Sequence, residues 1–141
     1  MANIVQGADG SLDIEGFGLG RPGFVVVHGE WVAASVDKCI FTAARRFIVK
    51  AITGRVEVAG TDASAVTLTV RKAASGTAIT SGTALHSSTL NLKGTAATVQ
   101  DLTLSTTASD LIIEDGDSIV MDFAGVLTAA TGAVTVHLAP A

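Results

Sequence analysis

Residues 18–23 match the letters of a dinucleotide-binding loop, G-x-G-x-x-G. Such a loop follows a strand and opens a helix, because the amides at the helix N-terminus hold the pyrophosphate. Here a β-forming run, residues 24–27, comes next, and Pro22 obstructs the turn. The sequence therefore argues against nucleotide binding.

Two acidic groups contain oxygen ligands that a cation could use. Residues 9–15 hold three carboxylates but lack the D-x-[DN]-x-[DN]-G spacing of a calcium loop. Glu114, Asp115 and Asp117 are more concentrated and surround a glycine. This composition is typical of a polar hairpin turn closed by an Asx-type hydrogen bond. We therefore predict a turn there, and we assign no metal or cofactor to either group.

The remaining chemical side chains are isolated in the sequence. His28, His86 and His137 are too far apart to show zinc-ligand spacing. His28 and Glu30 are expected to form a surface pair, and Cys39, the one cysteine, is expected to be a small buried residue. No G-x-S-x-G elbow is present, and no base is placed beside a nucleophile. The sequence predicts a protein that is not an enzyme.

Composition limits the class of protein further. A length of 141 residues fits one domain, and the chain can bury a core without a disulfide or a metal. Only 16% of residues are charged and the net charge is −4, which argues against binding nucleic acid through its phosphates. The N-terminus does not resemble a signal peptide, and no apolar run is long enough to cross a bilayer. We expect a soluble chain made inside the cell.

Residues 46–71 hold two β-forming runs around a polar turn at residues 61–64, and we predict that they form a long antiparallel pair. The second run alternates with period two, so Val66, Leu68 and Val70 should face a core. In the first run Val56 and Val58 should also point inward. A bulge or bend is predicted at Gly54.

About eight short strands follow residue 45, with turns every eight to twelve residues. No helical pattern separates them, which favours an all-β, antiparallel jelly-roll sandwich over residues 46–141. Gly116 should take a positive φ in a tight turn. In the strand that follows, the residues that should face the core are Ile119, Met121 and Phe123. In the last strand they are Val134, Val136 and Leu138.

Residues 1–45 form a separate, irregular, glycine-rich segment in this interpretation. Its apolar residues should cover either the sandwich of the same chain or a neighbouring subunit. The candidate protein-interface residues are its large apolar side chains: Phe17, Leu19, Phe24, Val25, Val26 and Trp31.

The order of motifs after residue 70 resembles that of a known protein class. The motifs are Arg71-Lys72, residues 75–78, 81–85 and 90–94, the Leu-Thr-Leu-Ser strand at 102–105, and Gly116-Asp117. This order is similar to that of capsid cement, or decoration, proteins of tailed bacteriophages with a jelly-roll fold. The resemblance covers residues 45–139.

The resemblance implies a structural protein on the outer surface of the virion, made in the host bacterial cytoplasm. Such a protein binds the outside of the head, joins neighbouring major capsid proteins and stabilises the shell against internal DNA pressure. Its partners would be the major capsid protein and itself, as a homodimer rather than a trimer, with no nucleic acid or membrane. The alternative is a receptor- or glycan-binding module of a tail or head fibre, for which Trp31 is the sole reasonable stacking platform.

Overall fold

The computed structural model describes residues 24–141 together with two short strands near the N-terminus. The described residues form twelve strands and two short 3₁₀ segments, Ile79–Ser81 and Ala108–Leu111. The strands are β1 (Ile4–Gln6), β2 (Leu12–Ile14), β3 (Val25–Trp31), β4 (Lys38–Thr42), β5 (Phe47–Val58), β6 (Thr67–Ala73), β7 (Thr83–Ala84), β8 (Leu90–Asn91), β9 (Thr98–Asp101), β10 (Ile112–Ile113), β11 (Ser118–Ala124) and β12 (Thr131–Pro140).

The strands after β2 make two antiparallel sheets. Sheet I has the order β10-β5-β12-β3, with β9 also paired to β5, and sheet II has the order β4-β11-β6-β7, with β8 also paired to β6. The pairs are nested along the chain, because β3 pairs with β12, β4 with β11, β5 with β10 and β6 with β7. This is the strand order of a jelly roll. The predicted all-β, antiparallel sandwich is therefore confirmed for the described residues.

The core lies between the sheets and follows the period-two pattern of the strands. Val66, Leu68 and Val70 are fully buried, as predicted. Ile119 and Met121 from β11, and the three apolar residues of β12 at positions 134, 136 and 138, are buried as predicted, whereas Phe123 is only partly buried. Alternation within one strand therefore predicted most core positions correctly.

The predicted pairing of the two runs in residues 46–71 is wrong. β5 belongs to sheet I and pairs with β12, whereas β6 belongs to sheet II and pairs with β11. The connection at residues 59–66 crosses from one sheet to the other instead of closing a hairpin. Sequence adjacency favoured a hairpin, but in a jelly roll many connections cross between sheets.

Two predictions within β5 also need correction. Gly54 lies in regular pairing with Val134, and a Cβ there would come within 2.5 Å of the Leu90 side chain. Glycine is needed at this position because Leu90 packs against the β5 backbone. The pairing of β5 with β12 is irregular instead at two places, between Val49 and Ala51 and between Val56 and Val58. Beyond the second of these, Val58 is exposed rather than inward.

The predicted domain boundary after residue 45 differs from the structure. Residues 25–42 supply β3 and β4, which are integral strands of sheets I and II. Glycine does not interrupt β3, because Gly29 creates room where the sheets meet. A Cβ at Gly29 would lie 2.6 Å from the sulfur of Met121. The sandwich therefore begins at β3, and part of the glycine-rich segment covers the core of its own chain.

Candidate interaction surface

Four loops carry the chain between the sheets at one end of the sandwich. They are residues 32–37, 59–66, 92–97 and 125–130. The pairs Trp31–Gly132, Val58–Thr131 and Val56–Thr98 bring the corresponding strand ends together in sheet I. We call the surface formed by these four loops the neutral end.

The neutral end has three charged side chains in its loops, and each is bound to a backbone group of the same chain. The Asp37 carboxylate accepts a hydrogen bond from the Phe123 N–H at 2.8 Å. The Asp62 carboxylate accepts one from the Ser64 N–H at 3.0 Å, and the Lys93 ammonium donates to the Ser64 carbonyl at 3.1 Å. Lys93 thus joins two of the loops, Asp62 closes its own loop and Asp37 holds its loop on β11. The other residues of the four loops are mostly Ala, Val, Thr and Gly.

Three loops of the neutral end are also joined by backbone hydrogen bonds. The Thr61 N–H donates to the Thr128 carbonyl at 3.0 Å, and the Gly60 N–H donates to the Leu92 carbonyl at 2.9 Å. These bonds link the loop at residues 59–66 to the loops at 92–97 and 125–130. A surface held in this way loses little conformational entropy when it binds a partner.

Apolar side chains and strained backbone both occur at the neutral end. Val32, Val36 and Val126 are exposed, the last two at 73% and 60%. Within the described residues, the non-glycine residues with positive φ are Ala97 (58°) and Ala129 (63°), and both are exposed in these loops. An exposed alanine in this conformation gains no core packing to offset its strain.

The opposite end has a different composition. Its loops at residues 43–46 and 114–117 read Ala-Ala-Arg-Arg and Glu-Asp-Gly-Asp. They are joined by hydrogen bonds from the Ala43 N–H to the Asp117 carbonyl and from the Gly116 N–H to the Ala43 carbonyl, both at 2.8 Å. We call these two loops the charged end.

Side chains pair across the charged end. Arg46 lies 3.3 Å from the Glu114 carboxylate, and both groups are more than half exposed. The Arg45 guanidinium lies over the Phe47 ring, 5.9 Å from its centre. These exposed contacts are weak individually because water competes for both charges.

The acidic turn agrees with the prediction only in the positive φ of Gly116. It joins β10 of sheet I to β11 of sheet II, so it does not close a hairpin. Its side-chain hydrogen bond is not of the Asx type, because the accepting residue follows the donor by three residues. The Asp117 carboxylate accepts a hydrogen bond from the Glu114 N–H at 3.0 Å, and Gly116 has a φ of 88°. Among the described residues, no group of three or more His, Cys, Asp or Glu side chains is placed to hold a metal ion.

The predicted interface residues have different positions. Phe17 and Leu19 lie outside the described residues. Phe24 and Val26 are exposed, the latter at 62%, and Val25 is partly buried against the core. Trp31 is only 1% exposed and packs in the core, so placing it at a protein interface is corrected. Its inward position follows from the alternation of β3, in which Val27 and Trp31 share the core face.

Phe24 and Val26 lie at the open edge of sheet I, where β3 is the last described strand. The Lys38 ammonium donates to the Glu30 carbonyl, so the backbone of that residue faces away from β12. Residues two apart in a strand direct their backbone groups to the same side, so the backbone of Val26 also faces the open edge. Within the part of the chain that the structure describes, no strand pairs with this edge of β3. Exposed apolar side chains beside such an edge are typical of a binding edge.

His86 is the one buried polar residue among those described. Its Nε2 accepts a hydrogen bond from the Val70 N–H at 2.8 Å, and its Nδ1–H donates to the Ser88 carbonyl. Burial lowers the pKa of His86, and the positive charge of Arg71 lowers it further, against an opposing effect of the Ser88 carbonyl. These contacts fit a structural histidine that holds the β7–β8 loop on β6.

The other isolated chemical residues are at the surface. His28 and Glu30 form the expected exposed pair, with Nε2 and Oε1 3.2 Å apart. Cys39 is exposed in β4, so the prediction that it is buried is wrong. The pairing of β4 with β11 shifts by one residue at Ile40, which interrupts the alternation of side chains. Ile40 and Phe41 therefore both pack against the core, and Cys39 is left exposed.

Sequence reasoning did not identify the neutral end. Of its four loops, only the turn at residues 61–64 was predicted as part of the fold, and the proximity of the four loops depends on pairings between distant strands. Their low charge and their many Ala, Val, Thr and Gly residues were visible in the sequence. The signal becomes specific once the strand order brings these loops to one end.

Comparison with known proteins carries no argument about the fold or the function of this chain. No family model and no curated protein matches this chain. A solved structure described as "Bacillus endospore appendages form a novel family of disulfide-linked pili" is similar at 15% identity, with a TM-score of 0.39. The match covers 100% of this chain and 92% of that chain, and at this TM-score it does not bear on function. None of the described helical segments is long and apolar enough to span a membrane.

Proposed function

We propose that this protein is a non-enzymatic structural protein of a tailed-phage virion. It binds the outside of the head and cements neighbouring major capsid proteins, which stabilises the shell against internal DNA pressure. The motif order in residues 71–117 supports this proposal through its resemblance to phage cement proteins. The jelly-roll fold is consistent with that resemblance.

The observation that most favours attachment to another protein is the exposed edge of β3. Phe24 and Val26 are large apolar residues at the surface, and the backbone of Val26 is directed toward the open edge. Soluble proteins usually protect such an edge with charge, proline or a covering segment. On β3 the polar side chains are His28 and Glu30, and Lys38 binds the Glu30 carbonyl, which leaves the end of the strand at Phe24 and Val26 apolar. We assign this edge to contact with the major capsid protein.

Many weak contacts are sufficient for a cement protein. On a symmetric head the same contact is repeated at every equivalent site, so joining two capsid subunits raises the effective affinity of each attachment. The edge of β3 could therefore act through a small interface. This fits a surface with two exposed apolar residues rather than a large apolar patch.

The proposal is tested by sedimenting the purified full chain with undecorated phage heads and counting bound copies per head. We expect saturable binding at a copy number set by the capsid lattice, and decorated heads that resist heat better. Val26→Glu should weaken binding by at least about tenfold, because it places a charge in an apolar contact.

Val99→Glu is the matched control. Val99 is also an exposed valine of sheet I, at 55%, but it lies on β9, away from the edge of β3. The Val99→Glu variant should bind heads as tightly as the wild-type chain. The proposal fails if the full chain does not bind heads, and the assignment of the β3 edge fails if both variants bind equally well.

The alternative function, a receptor- or glycan-binding module, loses its predicted platform. Trp31 is buried in the core and cannot stack on a sugar ring at the surface. A glycan-binding screen with and without Ca²⁺ distinguishes the two functions, because a cement protein should give no response.

A further inference from the structure

Residues 85–88 are hydrogen-bonded to β6 of sheet II on one side and to the segment that continues β9 of sheet I on the other. We call these four residues the strap. We propose that protonation of His86 releases the strap from β6 while the two sheets stay folded, which makes the strap a pH-sensitive element of the fold. The proposal concerns the chain itself and does not depend on whether it decorates phage heads.

The strap changes its hydrogen-bond partners at Leu85. The regular pairing of β6 with β7 ends one residue before the pair Val70–Leu85 would form. Half of that pair is present, because the Leu85 N–H donates to the Val70 carbonyl at 3.0 Å. The Leu85 carbonyl instead accepts a hydrogen bond from the Ser105 N–H at 2.9 Å, and the Ser87 N–H donates to the Thr103 carbonyl at 2.9 Å. The backbone of the strap therefore leaves the Val70 N–H without a main-chain acceptor.

The His86 side chain supplies that acceptor. Its Nε2 accepts a hydrogen bond from the Val70 N–H at 2.8 Å, and its Nδ1–H donates to the Ser88 carbonyl. A neutral imidazole can accept this proton at Nε2, whereas a protonated imidazole is a donor at both nitrogens. Protonation would place two donors face to face in a buried site and leave the Val70 N–H unsatisfied, which is unfavourable. The contact between the strap and β6 thus requires neutral His86.

Arg71 makes a charged His86 still less favourable in the closed strap. Burial lowers the pKa of His86, Arg71 lowers it further, and the Ser88 carbonyl opposes both effects. Arg71 is held in place, because its Nε lies 2.6 Å from the Asp122 carboxylate and its guanidinium donates to the Gly82 carbonyl at 3.0 Å. The released strap, in which water surrounds His86, therefore takes up a proton more readily than the closed strap.

The other charged groups around the strap have different partners. The strap and residues 102–105 contain no charged side chain apart from a protonated His86. The Lys72 ammonium donates to two backbone carbonyls, both at 2.8 Å. The Asp110 carboxylate accepts a hydrogen bond from a serine hydroxyl at 2.6 Å, and Asp101 is exposed. Within the described residues, no carboxylate is hydrogen-bonded to His86, so none holds it protonated in the closed strap.

Release would change the surface at this side of the sandwich. In the closed strap Leu85 is fully buried and His86 is 5% exposed. Their release would uncover an apolar side chain and leave the backbone of Val70 unpaired at the edge of sheet II. Acid would thus open a strand edge that is closed at neutral pH.

The experiment is amide hydrogen exchange of the full chain by NMR at about pH 7 and about pH 5, with each rate divided by that of an unstructured chain at the same pH. Protection of the Val70, Leu85 and Ser105 amides should fall by at least about fivefold. One proton taken up on opening permits a gain of up to about tenfold per pH unit below 6.5. These amides should exchange faster than those of β12, and low concentrations of urea should not accelerate them, because a local opening exposes little surface.

His86→Gln is the test variant, because the Gln carbonyl oxygen can accept the Val70 N–H but does not titrate. It should remove the pH dependence of the strap amides. His28→Gln is the control for the loss of an imidazole, since His28 lies at the surface on β3, and the pH dependence of the strap should persist in it.

Three results overturn the proposal. The strap amides could keep their protection at about pH 5, they could exchange only together with β12 and with the same urea dependence, or His86→Gln could retain the wild-type pH dependence. If His86→Gln does not fold, an NMR titration of the His86 ring in the wild-type chain takes its place. Protonation of the ring should then coincide with the loss of protection in the strap, and a ring that titrates without this loss also overturns the proposal.

Discussion

The neutral end and the charged end connect the same two sheets, but they hold their loops in different ways. At the neutral end small residues let the loops approach closely, and backbone hydrogen bonds join them, as between Thr61 and Thr128. At the charged end the two loops also share backbone bonds, but exposed side-chain pairs such as Arg46–Glu114 add to them. The difference suggests that shape matters most at the neutral end.

Close approach makes a surface sensitive to added atoms and insensitive to salt. An exposed ion pair has the opposite properties, because water and salt screen it while its long side chains can move aside. The stability of the protein should therefore respond differently when a methyl group is added at the neutral end, when a proton is added at His86 and when an alanine is replaced by the more flexible glycine.

The largest expected effect is that of Gly132→Ala, at the base of the neutral end. A Cβ at this position would lie 2.3 Å from the Arg55 carbonyl oxygen and 2.4 Å from the Trp31 ring. Neither backbone nor a buried indole can move away easily. We expect a loss of about 3 kcal/mol or more in the free energy of unfolding, measured by urea denaturation with Trp31 fluorescence.

Gly60→Ala is the matched control at the same end. The nearest atoms to an added Cβ there are 3.5 Å away, which is ordinary contact. It should change the free energy of unfolding by less than about 1 kcal/mol. Equal losses in the two variants would show that tight packing does not distinguish the two glycines.

A pH titration examines the region between the two ends. Neither end has a histidine in its loops, whereas His86 is buried between them with a lowered pKa. The unfolded chain therefore binds a proton at His86 more readily than the folded chain does. The contribution of His86 to the free energy of unfolding should be fully present above the unfolded pKa of 6.5 and should decrease as the pH falls below it. The slope should be at most about 1.4 kcal/mol per pH unit.

Replacing His86 with Gln should remove this part of the pH dependence while costing stability at all pH values. His28→Gln is the control for the loss of an imidazole, because His28 lies at the surface rather than in the core. A slope below pH 6.5 that persists without His86 would mean that another group causes it.

Most of the fold could be predicted from local patterns, whereas the pairing of strands could not. Val66, Leu68 and Val70 were assigned to the core correctly because alternation depends only on neighbouring residues. The partner of β5 was wrong because β12 lies far away in the sequence, and nothing local distinguishes a hairpin from a crossing between sheets.

The surface was harder to predict than the core. Trp31 was assigned to an interface because large apolar residues in a glycine-rich segment suggest stickiness, yet β3 turns this residue inward. Cys39 was assigned to the core by residue type alone and is exposed. The neutral end depends on four loops meeting, so it is visible only after the strand order is known.

The smallest expected effect is that of Ala97→Gly or Ala129→Gly, in two loops of the neutral end. Glycine relieves the strain of positive φ but adds freedom to the unfolded chain, so each change should stabilise the monomer by about 0.5 kcal/mol in urea denaturation. The control is Ala63→Gly, in a loop of the same end but without positive φ, which should not stabilise.

An equal gain in stability from Ala63→Gly would show that positive φ is not the source of the change. A loss of stability in Ala97→Gly and Ala129→Gly would show that the freedom added to the unfolded chain outweighs the strain that glycine relieves.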